Sequence, residues 1–216
     1  QQGRVVASDL GFAAGPRLKA AGRLDDMLLG SEFLLADEPQ QAHELAAQLN
    51  ALNTERREIE DQMRGQAMAE LKRLHLDSDK ENLPVGLCIF DETWHQGVIG
   101  ILAARIKEQF HRPVIAFAAS GEGEIKGSAR SIPGFHIRDA LDAVATRHPE
   151  LIQKFGGHAM AAGLSLSLKN FEAFQKAFDD EVRLHLTGDD LRAVIHSDGE
   201  LPGLDIGVTL VVGLRS

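Results

Sequence analysis

The segment KFGGHAMAAGLSL, residues 154–166, sets one imidazole, His158, behind Lys154, Gly156 and Gly157 and ahead of a run of small residues. Each glycine costs backbone entropy on folding, so such a run suits close approach to a ligand better than it suits a packed core. An imidazole held there can donate to a phosphate oxygen or exchange a proton near neutral pH. A tight turn with an ordinarily hydrogen-bonded His158 is the alternative. A second segment, IKGSARSIPGFHIRD (125–139), places Ser128 and Ser131 around Arg130, whose planar guanidinium matches phosphate oxygens. A surface hairpin with a salt-bridged Arg130 competes with that reading. His136 is expected to cap or pack at the start of the helix that follows. The third segment, FDETWHQGVIG (90–100), carries His95 from the end of a predicted strand into a helix start, where free N–H groups favour anions. A buried Trp94 beside an ordinary helix cap is the structural alternative. Asp91, Glu92 and His95 match no metal-ligand spacing, and no metal site is expected in the chain. A Ser-His-Asp set is not supported either, because no Gly-x-Ser-x-Gly elbow occurs; Cys88, inside a predicted strand, reads as inert.

The charge pattern agrees with a local anion site. The formal net charge is −9, which argues against a general nucleic-acid coat. Yet Arg17, Lys19, Arg23, Lys126, Arg130, Arg138, Lys154 and His158 fall in or beside glycine-rich stretches that read as turns, while most acidic residues fall in periodic ones. A basic cleft on an acidic body is the expectation. The 216 residues suffice for one large or two small domains with a real core. A single cysteine excludes an internal disulfide, no apolar run approaches the roughly 20 residues of a membrane span, and no leader pattern opens the chain. A cytoplasmic location is expected. The opening on Gln1 reads as a piece of a longer polypeptide.

Positioning these segments requires an α/β framework. Apolar residues at Ala42, Leu45, Leu49, Leu52, Ile59, Met63, Ala67, Leu71 and Leu74 draw one helical stripe and predict a single long helix over 38–75, with Glu55, Arg56, Arg57 and Glu58 on a solvated face. Strand and helix signals then alternate: strands at 85–90 and 113–120 flank a helix at 97–110, a hairpin leads to an antiparallel strand at 124–131, and helices at 136–148 and 169–186 flank a strand at 162–167. The fold class is α/β, a mixed sheet flanked by helices and preceded by a long connector helix.

In combination and in this order, GPRLKAAGRLDDMLLGSEFLLADE (15–38), DETWHQGVIGILAARI (91–106), IKGSARSIPGFHIRDAL (125–141) and KFGGHAMAAGLSL closely resemble the bacterial RecJ single-stranded-DNA-specific exonuclease family. The glycine-histidine phrase alone would indicate only the broader DHH-associated domain. The resemblance covers about residues 8 to 200. It implies a 5′-to-3′, metal-dependent phosphodiester hydrolysis in DNA repair and recombination, with single-stranded DNA and an upstream DHH domain of the same polypeptide as partners. It also implies Mn²⁺ or Mg²⁺ held by aspartates and an Asp-His-His motif that this chain lacks, so the fragment alone is expected to be inactive. By the resemblance, residues 1–37 are the trailing edge of the DHH domain, 38–76 the connector helix, 77–187 the DHH-associated substrate-binding domain, and 188–216 a following domain or tail. His158 corresponds to the histidine facing the catalytic cleft, Arg130 to an arginine on the DNA backbone, and Arg17 and Arg23 to residues facing the same cleft. Ser128, Ser131, Gly156, Gly157, Lys154 and His95 complete the substrate-binding candidates. Lys19 stands where members of the family commonly have asparagine, and the sequence after SDGEL drifts from the family pattern. Two alternatives stay open: a phosphoesterase of the same superfamily acting on oligoribonucleotides or nucleoside bisphosphates, and a non-catalytic interaction module.

Overall fold

The computed structural model describes residues 5–73, 84–192, 194 and 199. The polar stretch 77–82, the end of the stripe at Leu74 and the sequence after 199 lie outside the described residues. The first segment is mostly helical, in place of the turns its glycine content suggests. A short turn α1 (Ala7–Asp9) and a π-helical turn (Leu10–Ala14) lead into α2 (Gly15–Leu24) and α3 (Leu28–Leu35). Pro16 lies at the start of α2 directly after the π-helical turn, where its fixed φ suits a helix. Arg17, Lys19 and Arg23 therefore project from a helix and not from a glycine turn.

The predicted long helix is α4 (Pro39–Arg73). Its stripe is buried at Leu45, Leu49, Met63 and Ala67. Leu45 and Leu49 lie on the half that packs against α2 and α3, whereas Met63 and Ala67 join Trp94 and Val98 in a second cluster. One helix thus contacts both parts of the structure. Arg56 departs from the expected solvated face: its side chain is 11% exposed and paired with Glu60.

The sheet contains β1 (Leu87–Phe90), β2 (Val114–Ala119), β3 (Glu124–Arg130), β4 (Lys154–Gly157) and β5 (Ala161–Ser167), in the order β1-β2-β3-β5-β4. β1 and β2 are parallel, joined through α5 (Ile99–Phe110), and all other pairs are antiparallel. This is the expected mixed sheet, with one more strand than the pattern suggested. Lys154–Gly157 pairs with β5 as an edge strand, although two glycines weaken strand propensity. One face is covered by α6 (Ile137–Arg147) and α7 (Phe171–His185), with Phe117, Phe174 and Phe178 fully buried between them. On the other face α5 packs over β2 and β3, α4 adds Met63 and Ala67 to the cluster that buries Leu87, Ile89, Val114, Ala116 and Ala118, and Gly163 of β5 and Gly156 of β4 stay exposed. As expected, Cys88 is buried, and His136 caps α6 by accepting from Asp139 N–H at 3.2 Å.

Candidate functional site

Residues paired directly across neighbouring strands point to the same face of a sheet. Three such rows run from β3, at the edge of α5, onto the more open strands β5 and β4: Lys126–Ser165–Lys154, Ser128–Gly163–Gly156 and Arg130–Ala161. On β2 the matching positions are Ala118, Ala116 and Val114, all under α5. The helix therefore forms one wall of a shallow strip with basic ends and a thin centre. Lys126, Lys154, Gly156 and Gly163 are exposed, and a Cβ at Gly156 would meet nothing within 4 Å. Gly157 has a different reason to be glycine. Its φ is +150°, and a Cβ there would lie 2.4 Å from the Ala161 carbonyl, so any side chain would break the β4–β5 contact.

Arg130 lies against the α5 wall. Its Nη1 donates to Ser128 Oγ at 3.1 Å and to the Ala129 carbonyl at 2.8 Å. Its Nη2 comes so near α5 that a Cβ on Gly100 would stand 2.8 Å away. Among the described residues no carboxylate pairs with it, so the salt-bridged alternative fails. Burial, and then the charge of Arg23, lower its pKa. Arg23 reaches the same corner from α2, whose last turn touches the α5 entry at Gly97: a Cβ on Gly97 would be 2.0 Å from the Arg23 carbonyl. Burial and Arg56 lower the Arg23 pKa, and Glu60 opposes them. Two half-buried guanidiniums repel each other here, and Glu60 offsets only Arg23. An anion bound between them would relieve both.

The remaining candidates separate into those near this corner and those away from it. His95 is exposed beside Gly97, and its Nδ1 accepts the Gly97 N–H at 3.1 Å. Trp94 is buried and donates to Gln66 Oε1 at 2.9 Å, in agreement with the structural alternative for that residue. His158 follows β4, and its N–H donates to the Ala161 carbonyl at 2.8 Å; Ala161 stands opposite Arg130 in register. Its ring is exposed and makes no hydrogen bond among the described residues. Ser131, by contrast, is withdrawn from the strip. It is 1% exposed and its hydroxyl donates to the Phe135 carbonyl at 2.6 Å, because alternation along the chain turns residue 131 to the opposite side from 130. Arg17 is also committed elsewhere, donating to Asn50 Oδ1 on α4 at 3.0 Å and to the Ala13 carbonyl at 2.7 Å.

Lys126 belongs to the strip; the charge pattern placed it in the expected basic cleft, but it is not among the substrate-binding candidates. Its signal was available: period-two alternation from Ser128 and Arg130 points position 126 the same way. Among the described residues no group of three or more His, Cys, Asp or Glu side chains could hold a metal ion, so a divalent-metal centre does not fit them.

Residues 82–184 match the DHHA1 domain family. The chain is 55% identical over 206 residues to the single-stranded-DNA-specific exonuclease RecJ of Dickeya dadantii, an alignment covering 94% of this chain and 35% of that protein. Two crystal structures of RecJ from Thermus thermophilus superpose on it. The complex with Mg²⁺ has a TM-score of 0.69 at 28% identity, covering 82% of this chain and 26% of that one. The complex with Mn²⁺ has a TM-score of 0.68 at 30% identity, covering 82% and 25%. The chain thus spans about a third of the curated relative it matches.

Proposed function

Because the chain belongs to the RecJ family and carries its DHHA1 domain, we propose that it is the substrate-gripping part of a single-stranded-DNA-specific exonuclease. The observation that carries this reading is Arg130, a half-buried guanidinium with no acidic partner among the described residues, set between an α-helix wall and an open row of glycines. Phosphates of a single strand lie along the strip, held by Arg130 and Arg23 at one corner and by Lys126 and Lys154 along its length. The thin row Ser128–Gly163–Gly156 admits the sugar-phosphate chain to the sheet surface, and Ser128 fixes the Arg130 fork. His158, exposed beside the strip, donates to a phosphate oxygen near the scissile bond.

Hydrolysis itself is assigned to an upstream DHH domain of the same polypeptide, with Mn²⁺ or Mg²⁺ expected there. What this chain contributes is orientation, since holding a phosphodiester in line lowers the entropic part of the barrier. The residues 1–37 then form the edge of that upstream domain, α4 the connector, and 77–187 the substrate-binding lobe.

Anisotropy titration of a fluorescent oligo(dT) tests the reading. We expect weak binding at low salt, with log K falling linearly in log salt concentration. In the intact enzyme, His158→Ala is expected to depress kcat more than affinity. Absence of any binding at low salt overturns the proposal, as does a clear preference for oligoribonucleotides over DNA of the same length.

A further inference from the structure

Behind the α5 wall lies a second basic surface. A cleft of about 900 Å³ opens between α2, α4 and α5. Six basic side chains line it, Lys19 and Arg23 from α2, Arg56, Arg57 and Arg64 from α4, and Arg105 from α5, against three acidic ones, Glu60, Asp61 and Glu108. The acids are all engaged. Asp61 pairs with Arg64, Glu108 with Arg105, and Glu60 with both Arg56 and Arg105. Among the described residues Lys19, Arg23 and Arg57 have no hydrogen-bond or ion-pair partner. Arg56, 11% exposed, keeps a buried Nε with no hydrogen bond.

Of the six cations only Arg23 and Arg56 are withdrawn from solvent, and Arg23 has no ion pair among the described residues, an arrangement a bound anion would stabilise because burying a charge without a partner is costly. The lining also has length: Arg57 and Arg64 are seven residues apart on α4, about 10 Å at 1.5 Å per residue. A single strand carries one charge per roughly 3.4 Å when stacked, so several phosphates fit along it. Among the described residues no aromatic side chain lines the cleft, and Pro16 and Ile101 are its larger apolar residues. It therefore offers no stacking platform for bases and suits a backbone.

We propose that this cleft is a second contact for the sugar-phosphate backbone of a single strand, continuous with the sheet strip around the start of α5 through Arg23. The inference rests on the strip being a nucleic-acid site. Lys19 and Arg57 are exposed and unpartnered, so replacing them leaves the fold intact.

The test compares the double variants Lys19→Gln/Arg57→Gln and Lys126→Gln/Lys154→Gln, titrated with oligo(dT) of about 5 and about 15 nucleotides, a range bracketing common single-strand site sizes. For the cleft variant we expect a several-fold loss of affinity for the longer strand, a salt slope smaller by about 1.4, and no change for the shorter one. The strip variant is expected to lose affinity for both. Equal loss at both lengths, or none, in the cleft variant overturns the proposal while leaving the strip intact. So does polyglutamate binding that the cleft variant abolishes, which would assign the cleft to an acidic polypeptide. No loss in the strip variant would overturn the reading of the strip, and the cleft as its extension with it.

Discussion

Arg130 and Ser131 are neighbours with opposite fates, and the difference is only the two-residue period of a strand. Arg130 faces the open strip, and Ser131, 1% exposed, donates to the Phe135 carbonyl. Their variants should separate accordingly. Arg130→Ala is expected to weaken single-strand binding and reduce the salt slope by about 0.7, the value for one phosphate contact, with little change in stability, because the guanidinium bonds only Ser128 and Ala129. Ser131→Ala is expected to leave binding unchanged and lower stability by about 1–3 kcal/mol, since a buried acceptor loses its donor. Titration and urea unfolding of both variants check this, and a binding defect in the serine variant would contradict the assignment.

The elements that make the site meet at two glycines opening α5. At Gly100 the missing side chain leaves room for the end of Arg130; at Gly97 it lets the carbonyl of Arg23 approach. The second contact involves backbone and cannot yield as a flexible side chain can. Gly97→Ala is therefore expected to push α2 away from the α5 entry, to lower stability by about 1–3 kcal/mol as overpacking does, and to weaken binding through Arg23. Gly100→Ala moves only a side-chain end, and its effect should be confined to binding. Denaturant midpoints alongside anisotropy separate the two. The α4 helix adds to the same arrangement, since Glu60, 12% exposed, holds Arg56 on its own helix and Arg105 on α5.

At the scale of the molecule, a net charge of −9 coexists with a strip and a cleft in which cations outnumber acids. That segregation favours anion binding at one place and disfavours it elsewhere. No described helix is long and apolar enough to cross a membrane. Because the described residues hold no cluster of metal-ligating side chains, the chain alone is expected to release no mononucleotides from single-stranded DNA in Mn²⁺ or Mg²⁺; metal-dependent release, followed by chromatography of the products, would refute the assignment of hydrolysis to an upstream domain. Much of this was legible in the sequence. The elements after residue 84 other than the strand at 154–157, and the long helix, follow from periodicity, and Arg130, Ser128, Lys154 and His158 stand out by residue chemistry; both are local properties of the chain. Three things were not. The glycines of KFGG form an edge strand because β5 offers partners for their backbone, an interaction distant propensity cannot reveal. Glycine-rich residues 15–35 fold as helices whose buried face needs α4 beneath it. Arg56 leaves the solvated face only because α2 and α5 close over α4. Residue types and spacing determined that this chain has groups able to bind phosphate; tertiary packing alone decided which of them stand together without a counter-charge, because desolvation and pairing depend on neighbours remote in sequence.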